Sequence, residues 1–165
     1  MTLQQRYQVR FDWGVAGASA IGDDADVLVW VDALGDVDVP LRDLPERCAV
    51  ISTGLAGAVD AAVWILALQE ARQQRTMVAL VGAGAPRSDA LRFAAEDLLA
   101  AGAVCDALES RGIDAMSPEA AVADAAFRTL RPAVRALLAS VVDGGQETGG
   151  GLAVHRQHPD ASVEA

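Results

Sequence analysis

Three carboxylates and two glycines in this chain have the types and spacing that chemistry requires. Glu96 and Asp97 are adjacent near the start of a predicted helix, and Asp32 ends an apolar run. At ~100° per residue, Asp97 shares its helical face with Phe93, Ala94, Ala101, Val104 and Leu108. A carboxylate in such an arc is costly unless it is paired, hydrogen-bonded or bound to a cation. Asp97 therefore either meets an Arg or a backbone N–H in a structural role, or belongs to a site. Glu96 is expected toward the more polar side, near Arg92. Gly82 and Gly84, within Gly82-Ala83-Gly84-Ala85-Pro86, interrupt the preceding run and allow close backbone approach. Asp32 stands at the carboxyl end of its run, where ligands gather in open α/β sheets. A strand-end Asp also serves as an Asx-turn residue.

The elements that must position these groups follow from periodicity. Met77 to Val81 is an unbroken apolar run, the pattern of a strand covered on both faces, and Ala25 to Val31 is a second apolar run, rich in Val, that reads as a central parallel strand. Cys48 to Ser52 reads as a third short strand, leading through Thr53-Gly54 into a helix from about Leu55 to Gln73. The apolar set of that helix includes Leu55, Val59, Ala62, Val63, Leu66 and Ala67. Tyr7 to Trp13 alternates, with Gln8, Arg10 and Asp12 on the expected wetter face. Gly14 to Gly22 is either a loop or a short helix. Ser88 or Asp89 are the candidate N-caps for the helix that carries Glu96-Asp97. Strand, helix, strand and helix from Cys48 to Gly112 form a βαβ signature with an expected right-handed crossover. Ser117-Pro118-Glu119 opens a further helix to about Ser140, broken near Leu130-Arg131 by Pro132. The fold expected is α/β: one sheet of about four to five mostly parallel strands flanked by helices.

Other polar groups have plainer readings. Ser52-Thr53-Gly54 offers either an anion site at a helix N-terminus or an ordinary capped turn. Arg128, Arg131 and Arg135 make either an anion-facing strip or a solvated face. His155 and His158 form a His-x-x-His pair with no nearby Cys or spaced acid to complete a metal site. No residue reads as a nucleophile held against a base. A dinucleotide fingerprint fails at Arg87, where its third glycine should stand. Residues 1–5 read as a frayed end, and residues 143–165 as a Gly-rich polar tail, flexible or loosely docked, after an α/β domain over 1–142.

Composition bounds the rest. The 165 residues carry a net charge of −10 and 52% hydrophobic residues, of which few are aromatic. Ala, Val and Leu must therefore build the core, and no basic cluster suits nucleic acid. Cys48 and Cys105 sit in apolar segments and read as buried free thiols of a reducing compartment. Neither a leader nor an apolar run of ~18 residues is evident, so a cytoplasmic protein without membrane contact is expected.

The segment AGAPRSDALRFAAEDLLAAGAV resembles the late part of the 2-phosphosulfolactate phosphatase family, in which a strand ending in Ala-Gly precedes a polar loop, Glu-Asp, an apolar run and Ala-Gly. Arg10-Phe11-Asp12-Trp13-Gly14 resembles the opening strand of actinobacterial-type members, and Asp26 to Leu34 the family's apolar strand ending in Asp-Val-Leu. The Arg and hydroxyl-rich run that follow that acid in the family are missing after Asp32, as is a longer insert before Cys48. The resemblance implies Mg²⁺-assisted hydrolysis of a small phosphate monoester. Asp32 and Asp97 would hold the ion, Glu96 would ligate or transfer a proton, and Gly82 and Gly84 would approach the phosphate. The alternative is a catalytically degenerate relative acting as a binding or oligomerisation module, with a homo-oligomer as one possible form.

Overall fold

The computed structural model describes residues 4–35, 38–86, 90–141 and 150–164. Five strands form the main sheet: β1 (Val9–Trp13), β2 (Val27–Val31), β3 (Ala49–Thr53), β4 (Val78–Gly82) and, from the C-terminal segment, a strand introduced below. Between them run α1 (Gly14–Gly22) and α2 (Ala58–Arg72). A two-residue ribbon, β5 (Ala85–Pro86) with β6 (Leu91–Arg92), then leads into α3 (Ala95–Glu109). Next come α4 (Pro118–Leu130) and α5 (Val134–Val141), joined by one 3₁₀ turn over Arg131–Ala133. The break thus falls at the expected place, where the Pro132 ring cannot continue an α-helix. At the start of α4, Ser117 Oγ accepts the Ala120 N–H at 3.2 Å as the cap.

β7 (Ala153–Arg156) completes the sheet, whose order is β1-β4-β2-β3-β7. The first four are parallel, and β7 lies antiparallel against β3. Fold class and strand number are as expected, but residues 153–156 are part of the sheet rather than a loose tail. Arg156 holds them there, donating from Nε to the Cys48 carbonyl at 3.0 Å.

Two apolar clusters lie on opposite faces of the sheet. One joins alternate residues of the strands, such as Val29, Ile51 and Leu80, to α2, α3, α4 and α5. The other packs Leu28, Trp30, Val50 and Val81 against Ala18 and Ile21 of α1. Coverage on both faces explains why β2 and β4 read as unbroken apolar runs. It also corrects the face expected to be wet on β1. Arg10 is fully buried, because α1 lies over that side, and Gln8 is buried against Gln69, Arg75 and Thr76. The guanidinium donates to the carbonyls of Tyr7, Ile21 and Gln5 at 3.0–3.1 Å and pairs with Asp24.

Other local expectations shift. Gln4 is not frayed: its side-chain amide brackets Phe11, donating to the Phe11 carbonyl and accepting the Phe11 N–H. The buried stripe of α2 is Ala58, Ala61, Ala62, Trp64, Ile65 and Leu68, while Val59 and Val63 are about half exposed (53% and 50%). The helix is apolar nearly all round, so periodicity could not choose between its faces. Ser88 and Asp89 lie outside the described residues, and the N-cap position of α3 is Ala94. Both cysteines are free and buried. Among the described residues no helix is long and apolar enough to cross a membrane.

Candidate functional site

The carboxyl ends of β2, β3 and β4 point to one side of the sheet, and the acids singled out from the sequence gather there. The first turn of α3 carries Glu96 and Asp97, 5% and 3% exposed, and Asp32 follows β2 at 7%. Asp97 reaches across two strand ends. Its Oδ1 accepts the Ala33 N–H and its Oδ2 accepts the Gly84 N–H, both at 2.8 Å. One side chain therefore ties the residue after Asp32, beyond β2, to the loop after β4. Asp32 itself makes an Asx-type turn, its Oδ1 accepting the N–H groups of Leu34 at 3.1 Å and Gly35 at 2.8 Å. Glu96 takes a 3.4 Å contact from Arg92.

Electrostatics set Asp97 apart from an ordinary carboxylate. Burial is the largest influence and pushes its pKa up from 3.8 to about 7. The two backbone N–H groups work against that rise, and the negative charges of Asp32 and Glu96 add to it. Asp97 is a clamp whose protonated and ionised forms lie close in free energy near neutral pH.

Both glycines have steric roles here. At Gly82 a Cβ would stand 2.7 Å from the Trp13 ring, so the missing side chain makes room for the indole. Gly84 has φ +65°, a left-handed conformation that favours glycine, and its N–H is the one Asp97 receives.

A resident Mg²⁺ does not fit this donor set. Each Asp97 oxygen faces an amide hydrogen, and Asp32 spends one oxygen on its turn. Among the described residues no three acid, His or Cys side chains converge as a metal-holding group.

A cavity of about 190 Å³ opens beside Asp32, toward β3 and β7 rather than toward Asp97. Its walls include Trp30, Asp32, Asp38, Ser52, Thr53, Gly54 and His155, together with Gly150 and Gly151. Ser52 Oγ and His155 Nε2 are 2.7 Å apart. Burial lowers the His155 pKa, which keeps the imidazole neutral near pH 7. The sequence reading missed this pair. Ser52 looked like a turn residue, and His155 looked like half of a His-x-x-His motif. In the structure the two histidines part company: His158 turns its Nδ1 to the Asp160 N–H and its Nε2 toward Asp26, 3.8 Å away. The sequence offers little signal for the Ser52–His155 pair, since Ala153-Val154-His155-Arg156 does not alternate between apolar and polar residues. Ser52-Thr53-Gly54 also stands before, not at, the helix N-terminus, since α2 begins at Ala58.

Arg128 and Arg131 are committed to neighbouring acids. Arg128 contacts Asp106 at 3.2 Å and Asp124 at 2.9 Å and also meets Glu109, while Arg131 pairs with Asp106. No protein-family model matches this chain, and no curated protein matches it.

Proposed function

We propose that this chain is a relative of the 2-phosphosulfolactate phosphatase type that keeps the α/β frame and no longer carries out metal-assisted phosphate hydrolysis. It acts as a binding module for a small ligand, without a net negative charge, in the cavity beside Asp32. The observation that carries this reading is the Asp97 clamp: the acid expected to hold a cation has both oxygens on backbone N–H groups. The cavity supports it further. Two acids in its walls disfavour a phosphate, whereas hydroxyl groups, an imidazole and the Trp30 ring suit a compact neutral or cationic molecule.

Mg²⁺-assisted hydrolysis of a small phosphate monoester stays as the second reading. It is favoured by one observation, that Asp32 and Glu96 lie close enough to Asp97 to raise its pKa. Phosphate release from a panel of small esters, 2-phosphosulfolactate included, with and without Mg²⁺, separates the two. The expected result is no release by folded protein. Release that requires Mg²⁺ and disappears in Asp32→Asn and Asp97→Asn would overturn the binding-module reading.

A further inference from the structure

β3 and β7 bring together two side chains 103 residues apart in sequence, and the pairing has the form of a hydrolytic dyad. Ser52 lies level with Trp30 across β2 and β3 and with Ala153 across β3 and β7. His155, two residues beyond Ala153, sets its Nε2 2.7 Å from Ser52 Oγ, within the distance needed to take the hydroxyl proton. Both side chains line the cavity beside Asp32. Trp30 lines it as well.

We infer that Ser52 is a nucleophile and His155 its general base, acting on a small uncharged carboxylic ester bound in this cavity. As the bond from Ser52 Oγ to the ester carbonyl carbon forms, the hydroxyl proton passes to His155 Nε2. The carbon–oxygen bond to the alcohol then breaks, and the alcohol leaves with that proton. Water gives a proton to the same nitrogen while attacking the acyl-serine. The bond between the acyl carbon and Ser52 Oγ then breaks, His155 Nε2 returns its proton to Oγ, and the carboxylic acid leaves. The volume of about 190 Å³ restricts the ester to a small one, and Asp32 and Asp38 turn away anionic acids. The imidazole needs no prior deprotonation at neutral pH, since burial already lowers its pKa.

The inference rests on the cavity being the ligand site. Its test uses the full chain in EDTA, exposed to a small fluorophosphonate and followed by intact mass and peptide mapping. The expected result is one adduct, on Ser52, formed as fluoride leaves. Ser52→Ala should give none, and His155→Gln should label at least about 100-fold more slowly, the usual worth of a general base. Hydrolysis of p-nitrophenyl acetate should follow the same order. No adduct on the wild-type chain, an adduct elsewhere, or undiminished labelling of folded His155→Gln would overturn the dyad. Phosphate release from the same protein, measured with Mg²⁺ and without EDTA, reports separately on the binding-module reading.

Discussion

Replacing Asp97 by Asn should make the difference in stability between the two proteins depend on pH, and even change sign. In the folded wild type the carboxyl has a pKa near 7, against 3.8 in the unfolded chain. Between those values the folded state holds a proton that the unfolded state has released. Its raised pKa therefore makes the wild type most stable at the acid end of the window, and that stability is lost as pH rises toward 7. A shift of about one unit corresponds to about 1.4 kcal/mol, so from pH 5 to pH 8 this group alone removes about 2–3 kcal/mol. Asn has no such titration. It does have a fixed cost: its amide nitrogen cannot accept a hydrogen bond, so the Ala33 or the Gly84 N–H loses its acceptor, at about 1–3 kcal/mol. Wild type should therefore be the more stable protein at pH 5, and the two should converge or cross by pH 8. Urea unfolding of both proteins in EDTA at half-unit pH steps measures this directly, because the titrations of groups that do not interact with Asp97 cancel in the difference. A difference that stays constant from pH 5 to pH 8 would refute the assignment of a raised pKa to a buried clamp.

Three further outcomes are expected. Gly102→Ala should destabilise the protein, because the new methyl would sit 2.7 Å from Phe127 Cβ and press on the Ala123 carbonyl of α4. An overpacking cost at or above about 3 kcal/mol exceeds the gain of about 1 kcal/mol in helix propensity, and a melting temperature at or above wild type would contradict that balance. Arg10→Met should cost about 3 kcal/mol in denaturant titrations, since the backbone carbonyls of Gln5, Tyr7 and Ile21 lose a charged donor. Asp24→Asn should cost under about 1 kcal/mol, because that partner is 43% exposed; equal losses would show that the ion pair, not the carbonyl cage, holds Arg10. Gly57→Ala should slow fluorophosphonate labelling several-fold, since its Cβ would stand 2.5 Å from both the Leu152 N and Thr53 Oγ1 and displace the approach to β7. Labelling at the wild-type rate would detach the reactivity of Ser52 from the docking of β7.

The apolar runs at Val27 to Val31 and Met77 to Val81 by themselves point to a sheet covered on both sides. The Ser117-Pro118 start and the Pro132 break of the last helices are equally local, because caps and proline rings act within one turn of chain. The burden on Asp97 was also legible, as a carboxylate in an apolar arc must find partners. Which partners it finds was not, since Ala33 lies 64 residues away and only the side-by-side placement of β2 and β4 brings its N–H within reach. The burial of Arg10 escaped the alternation of β1 for a related reason: a period of two distinguishes the faces of a strand but does not say that a helix covers the second one. The Ser52–His155 pair is wholly a product of tertiary structure. A serine in a turn-like triplet and a histidine after a glycine run carry no joint signal, and the antiparallel addition of β7 to β3 alone sets one against the other.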